Sequence, residues 1–212
     1  MRNLKLIAFN TLLIFLLMPV LSWAELGKKS PEAAVKILLN EIKQIVEGDE
    51  ISEDQKVANT KHSNIALSIL KVSEISQKAL GKYWAKHSTK QQDQFKKLLG
   101  ELFVYVAFPS SAKFFADLDL VYGTSKRKKD MMVVPLTVIH EKEGEVDIDF
   151  WLKQSSKNWL VVDVILDGIS MRNNLRSQFY KILKKNDFDE LVRRNSLRIW
   201  IWFIGHRKEK KI

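Results

Sequence analysis

Apolar residues recur at Val35, Leu38, Leu39, Ile42, Ile45 and Val46, the spacing that turns one helix face toward a core. Ser30-Pro31-Glu32 precedes them and reads as a helix start. The serine offers an N-cap oxygen, the proline lacks an N–H that would go unpaired anyway, and the acid suits the first turn. Gly48-Asp49 ends this segment. A second helix is expected from about Asn59 to Leu70, with Ile65, Ala66, Ile69 and Leu70 inward, and a short third over Val72 to Leu80, stopping at Gly81. Ser88 or Thr89 caps a longer fourth, with Gln92 three residues after Thr89 as capping-box partner. Its stripe is Phe95, Leu98, Leu99, Leu102, Phe103, Val106 and Ala107. Pro109 interrupts it, since proline removes a helical N–H and crowds the preceding turn. Phe114 and Phe115 lie just beyond.

The second half changes period. Val134, Leu136 and Val138 alternate with Pro135, Thr137 and Ile139, and Val146, Ile148, Phe150 and Leu152 with Asp147, Asp149, Trp151 and Lys153. Trp159 to Leu166 is a third such run, and Asp119 to Lys126 a weaker one. Glu143-Gly144 and Ser156-Lys157-Asn158 fall where hairpin turns belong. About four antiparallel strands follow, with one apolar and one polar face. Strict alternation gathers Val134, Leu136, Val138, Val146, Ile148, Phe150, Leu152, Val162 and Val164 on the apolar face. Asp167-Gly168 closes the last strand, Ser170 caps a helix carrying Leu175, Phe179, Ile182 and Leu183, and Asp187 to Val192 forms a final short helix. Helices, then a meander, then helices again is an α+β order, with no βαβ alternation.

The termini add a compartment. Arg2 and Lys5 precede an uncharged apolar run from Leu6 to Leu21, and Ser22-Trp23-Ala24 puts small residues where a signal peptidase reads. Residues 1–24 are expected to be a cleaved signal peptide; an uncleaved anchor is the alternative, though the run is short for a full span. Residues 25–197 then form a single domain. Residues 198–212 are a tail, Ile199-Trp200-Ile201-Trp202-Phe203-Ile204 followed by Arg207, Lys208, Lys210 and Lys211. It reads as an aromatic element for a membrane surface or partner, or as a strand or helix covering the core. The chain has no cysteine, so an exported fold must hold by packing alone. Its formal charge of +10 suits anionic lipid headgroups or an acidic partner, or simply keeps it soluble. Outside the cytoplasm, nucleic acid is not the expected partner.

Little in the chain suggests catalysis. There is no Gly-x-Ser-x-Gly elbow and no Gly-rich phosphate loop, and the four histidines are scattered without metal-ligand spacing. No cofactor is expected. Asp147 and Asp149 fall on the solvent side. Asp163 interrupts Val161-Val162 and Val164-Ile165. It is either a structural carboxylate, capping a backbone group or pairing with Arg172 or Arg176, or the acid–base residue of a small enzyme. The positive signal is the apolar excess: sheet and helices that stay apart would leave a cavity of the kind that takes an acyl chain, and sheet and helices that mesh would make a filled core.

A family resemblance bears on that choice. Trp159-Leu160-Val161-Val162-Asp163-Val164-Ile165-Leu166-Asp167-Gly168-Ile169-Ser170-Met171 resembles the W-x-V-x-D-V-x-x-x-G-V-S-L segment of the MlaC family, the toluene-tolerance auxiliary proteins of an ABC-type lipid transport system. Asn174-Leu175-Arg176-Ser177-Gln178-Phe179 continues the match where many members read N-Y-R-x-Q-F, with Leu175 in place of the tyrosine. Leu80-Gly81-Lys82-Tyr83-Trp84 is similar to the family's L-G-x-x-W. Thr89 to Phe95 is similar to its T-x-x-Q-x-x-x-F, and Val146 to Phe150 to its V-x-V-D-Y strand. The resemblance spans roughly residues 31–195. It implies a periplasmic carrier, NTF2-like in outline, whose curved sheet and helices enclose an apolar pocket. Such carriers shuttle phospholipid between an outer-membrane lipoprotein–porin complex and an inner-membrane ABC transporter complex with its substrate-binding subunit. On this reading Leu136, Val138, Ile148, Phe150, Val162 and Val164 line the pocket from the sheet, and Leu99, Leu102, Phe103 and Val106 from the long helix. Gly168 permits the turn into the helix capped by Ser170. The basic run Lys126-Arg127-Lys128-Lys129 meets donor or acceptor, or is a solvated hairpin, and peripheral contact with a membrane is expected.

Overall fold

A computed structural model of the chain describes residues 30–46, 51–116, 118–140 and 144–194. The proposed signal peptide, Gly48-Asp49, Glu143 and the tail lie outside these residues. Helix α1 spans Pro31–Lys43, and the Ser30 hydroxyl accepts from Ala33 N–H as its cap. Its inward face is Ala34, Val35, Leu38, Leu39 and Ile42. Helix α2 spans Glu53–Ser68 and starts six residues before the expected Asn59. The start was hidden because its first turns are solvated and carry no apolar period. A capping box sets it instead, with Ser52 accepting from Gln55 N–H and the Gln55 side chain accepting from Ser52 N–H. The Asn59 side chain then clasps both backbone groups of Val46, tying α2 to the end of α1.

Helix α3 spans Val72–Leu80 and stops at Gly81, whose φ of +48° suits a residue without a Cβ. A 3₁₀ segment over Gly81–Lys86 leads to α4, Thr89–Leu102. Ser88 is the cap and Gln91 completes the capping box, in place of the expected Thr89–Gln92 pair. Pro109 does not break this helix. A π-helical turn over Phe103–Ala107 intervenes, with Phe108 N–H bonded to the Phe103 carbonyl five residues back, and α5 continues over Phe108–Phe115. Widening the turn accommodates a residue that has no N–H to donate and whose ring would strike the carbonyl four back.

The sheet is antiparallel and holds six strands where about four were expected: β1 Asp119–Tyr122, β2 Lys126–Lys128, β3 Met131–His140, β4 Gly144–Ser155, β5 Asn158–Leu166 and β6 Ile169–Ser170. Their order is β1-β3-β4-β5-β6, with β2 also on β3. The weak run before β3 divides into two short strands that pair with opposite ends of β3. Ser156 (φ +55°) opens the two-residue β4–β5 turn. Asp167 and Gly168, both at positive φ, make the turn from β5 to β6. Helix α6 then spans Met171–Leu183, capped by Ser170, and α7 spans Phe188–Arg193, capped by Asp187.

Two apolar cores result. In the first, the inner face of β3, β4 and β5 packs on α1, on Ala66 of α2 and on Phe108, Ala112 and Phe115 of α5. In the second, α3, α4, α6 and α7 meet around Leu80, Phe95, Leu99, Phe179 and Leu191. Phe103 and Leu70 touch both. Backbone bonds from Lys71 N–H to the Val161 carbonyl and from Val161 N–H to the Ile69 carbonyl fasten the helical half to the sheet between them.

Candidate functional site

Five of the six expected sheet residues come together on one face. Leu136 opposes Ile148 and Val134 opposes Phe150, while Val138 opposes Val146 one step along the same face. Leu136, Val138, Ile148 and Phe150 are all buried in the first core, and Val164, opposite Phe150, packs half-buried against it. Val162 departs from this face. A bulge sets Leu152 opposite Val161 and Trp151 opposite Asp163, which leaves Val162 as the extra residue. Val162 is buried, but outside both cores. Strict alternation fails at an inserted residue, and everything beyond it changes face. Val161 and Val164, three apart, therefore share the inner side.

The helix wall is also divided. Leu99, Leu102 and Val106 lie in the second core, against α3, α6 and α7. Of the four expected helix residues only Phe103 reaches the sheet core as well. The π turn supplies the reason. It spends one residue more than an α turn, and one residue rotates all later side chains by about 100°. The stripe that serves the helical core up to Val106 is thus replaced by Phe108, Ala112 and Phe115 facing the sheet. These three, with Val35, Leu38 and Leu39 of α1, are the wall opposite the sheet that the spacing did not assign. Pro109 was the one signal in the sequence that the helix face changes there.

Asp163 is a structural carboxylate. It is 7% exposed. Its Oδ1 accepts from Val164 N–H at 2.9 Å and Arg172 N–H at 3.1 Å, and its Oδ2 from the Ser170 hydroxyl at 2.7 Å. The Arg172 guanidinium lies 3.3 Å from Oδ2. Ser170 in turn accepts from Asn173 N–H. One carboxylate thus joins β5, β6 and the first turn of α6, and both of its oxygens are engaged. Asp147 is exposed and takes the Thr137 hydroxyl. Glu74 of α3, half-buried beside Lys153 at the opposite end of β4, is pushed up by burial but held below the usual carboxylate range overall by Lys153 and Lys71. Among the described residues no three His, Asp or Glu side chains gather as a metal site. The expected basic run is a solvated hairpin: β2 is exposed, Lys129 sits in its turn at φ +57°, and Lys128 lies over the Trp151 ring.

What the residues build is an apolar sheet face covered by α1 and α5, with a polar rivet at the end of β5. The sequence profile of the MlaC protein family matches residues 36–195. The chain belongs to the MlaC family. Among solved structures it is similar to a phospholipid-binding protein from Ralstonia solanacearum in complex with a phospholipid. The TM-score is 0.58 and the identity 19%, over 87% of this chain and 97% of that one. No curated protein sequence matches. The MlaC match contains both the Asp163 rivet and every sheet residue named above.

Proposed function

We propose that this MlaC-family protein is a periplasmic carrier that holds a phospholipid by its acyl chains and shuttles it between an outer-membrane lipoprotein–porin complex and an inner-membrane ABC transporter complex. The observation that carries the reading is the apolar face of β3 and β4, roofed by α1 and α5, in a fold shared with a protein that has been seen with phospholipid bound. An acyl chain between sheet and roof would gain about 0.8 kcal/mol for each methylene removed from water. A chain of a dozen or more carbons therefore needs no charged anchor inside. The engagement of both Asp163 oxygens favours this reading over an acid–base enzyme, because a general base needs a lone pair free for its substrate.

Mass spectrometry of the protein under non-denaturing conditions tests it. The expected spectrum shows the chain together with one or two phospholipid masses. Val138→Trp adds bulk to the buried sheet face opposite Val146, and should lose those masses while keeping the circular-dichroism spectrum. A lipid-free native protein that also takes up no lipid from vesicles would end the proposal. Normal loading of Val138→Trp would reject the sheet face as the lipid wall.

A further inference from the structure

The 3₁₀ segment after α3 and the outer side of α6 build a cationic surface that neither core nor cargo explains. Arg176, Tyr180 and Lys184 recur every four residues and so share one stripe of α6, beside the buried Leu175–Phe179 stripe. The Tyr180 hydroxyl accepts from Lys82 N–H at 2.9 Å, and its ring meets Tyr83 edge-on at 5.0 Å. Lys82 Nζ lies 5.4 Å from the Tyr83 ring centre and 5.5 Å from that of Tyr180, and Lys86 Nζ lies 5.5 Å from Tyr83. Gly81 suits this joint, since its φ is positive and a Cβ there would strike the Tyr180 hydroxyl. Lys82, Lys86 and Lys184 are exposed, and among the described residues no carboxylate pairs with them or with Arg176. Other exposed cations, Lys61, Lys78, Lys90 and Lys113 among them, also have no paired carboxylate among the described residues; what sets this face apart is that Lys82 and Lys86 stand over the Tyr83 and Tyr180 rings.

The same end of the molecule leads into the tail. The His87 ring packs on Phe188 at 4.6 Å, so the 3₁₀ segment abuts the start of α7. That helix has six residues, about 9 Å at its rise per residue. The sequence after it is Ile199-Trp200-Ile201-Trp202-Phe203-Ile204 with Arg198, Arg207, Lys208, Lys210 and Lys211 around it. Tryptophan beside a cluster of basic residues is the composition that partitions to a bilayer interface of negative charge.

We propose that the Lys82–Lys86–Arg176–Lys184 face with its two tyrosines docks this protein on the surface of an anionic phospholipid bilayer. Lys82 and Lys86 are already held over aromatic rings, so little of their side-chain freedom is lost on contact. Lipid phosphates would supply the acids the face lacks. The inference concerns where the molecule rests and not what it holds, so its failure would leave the carrier reading intact.

Co-sedimentation of the native processed protein with vesicles tests it. One set of vesicles carries one part phosphatidylglycerol to three parts phosphatidylethanolamine; the other is phosphatidylcholine alone. Binding to the first is expected to exceed binding to the second at low salt and to fall steeply at 0.5 M salt, where charges are screened within about 4 Å. Lys82→Gln/Lys86→Gln/Lys184→Gln should weaken it roughly a hundredfold, at about fivefold per lysine near an anionic surface. Lys126→Gln/Arg127→Gln/Lys128→Gln removes the same charge from the β2 hairpin and should cost under tenfold. Equal binding to both vesicles would overturn the proposal. So would equal loss in the two triple variants, which would assign the effect to net charge, and so would binding only to an acidic protein.

Discussion

Replacing Asp163 by asparagine should destabilise the protein by about 3 kcal/mol. Asparagine keeps one carbonyl oxygen, which can go on accepting from Val164 and Arg172 N–H. What it loses is the charge opposite the Arg172 guanidinium and the acceptor for the Ser170 hydroxyl. Its NH₂ would instead face the guanidinium. Removing one partner of a buried ion pair costs ~3–5 kcal/mol, but the Arg172 side chain is 21% exposed and can turn partly to water. That argues for the lower end of the range, including ~1 kcal/mol for the serine bond. Asp163→Ala also strands two backbone N–H groups, each worth ~1–3 kcal/mol when buried and unpaired. It should be the worse variant. With a urea m-value of about 2 kcal/mol/M, Asp163→Asn lowers the unfolding midpoint by roughly 1.5 M. Tryptophan fluorescence in a urea titration at pH 7 reads this directly. A loss below about 0.5 kcal/mol would refute the reasoning, because the carboxylate would then not be joining β5 to α6. An unchanged midpoint together with loss of a turnover would make Asp163 a catalytic residue after all.

Other sites give sharper or more local tests. Gly81→Ala meets positive φ and the Tyr180 hydroxyl at once, and should cost about 1–3 kcal/mol; adding Tyr180→Phe should recover part of it, and strict additivity in that double-mutant cycle would count against the clash. Burial holds His87 below its ordinary pKa, and its Nε2 has no hydrogen-bond partner. The unfolded chain then takes up the proton first as pH falls through about 6.5, so stability should drop from there down to the lowered folded value; urea midpoints between pH 8 and 5 should lose that slope in His87→Phe. Lys153→Met leaves Glu74 with Lys71 alone and frees Asp130. The stability contributed by the depressed Glu74 is present above about pH 4.5 and lost as pH falls through its lowered pKa, so the variant should be less stable at pH 7 and nearer wild type at pH 3. Phe103→Ala should cost about 2–3 kcal/mol and, because Phe103 belongs to both cores, hydrogen exchange should show α3 and α6 losing protection before the sheet.

The parts of this fold that could be read from the chain are those where one period runs unbroken. The start and inner face of α1, strands β3 and β4, the stop at Gly81 and the turn at Asp167-Gly168 each rest on a local rule and each is where that rule puts it, whereas α1 ends at Lys43, short of the expected Val46, which is exposed. The start of α2 was unreadable from apolar spacing, because Ser52 and Gln55 set it through hydrogen bonds in solvent. The site failed differently. Its sheet half was legible at Leu136, Val138, Ile148, Phe150 and Val164, with Val162 alone departing, and of its helix half only Phe103 reaches the sheet core. Val162 is the inserted residue in β5, and the π turn holds the one in the long helix.

Each insertion sits where its element meets the boundary between the two cores. The long helix passes from one core to the other, α4 facing α3 and α6 while α5 faces the sheet; β5 stays with the first core but takes the backbone bonds of Ile69 and Lys71 at Val161, next to the bulge. An element with a constant period can show its apolar stripe to only one core. A single extra residue re-aims the stripe at the boundary without breaking the element, and a sequence period averaged over a window cannot register it. Pro109 and the Val161-Val162-Asp163-Val164 run were the visible traces. A wall assigned by period alone therefore misses at each boundary. On the carrier reading, Val161 stands in place of Val162 beside Val164, and Phe108, Ala112 and Phe115 join Phe103 from the long helix.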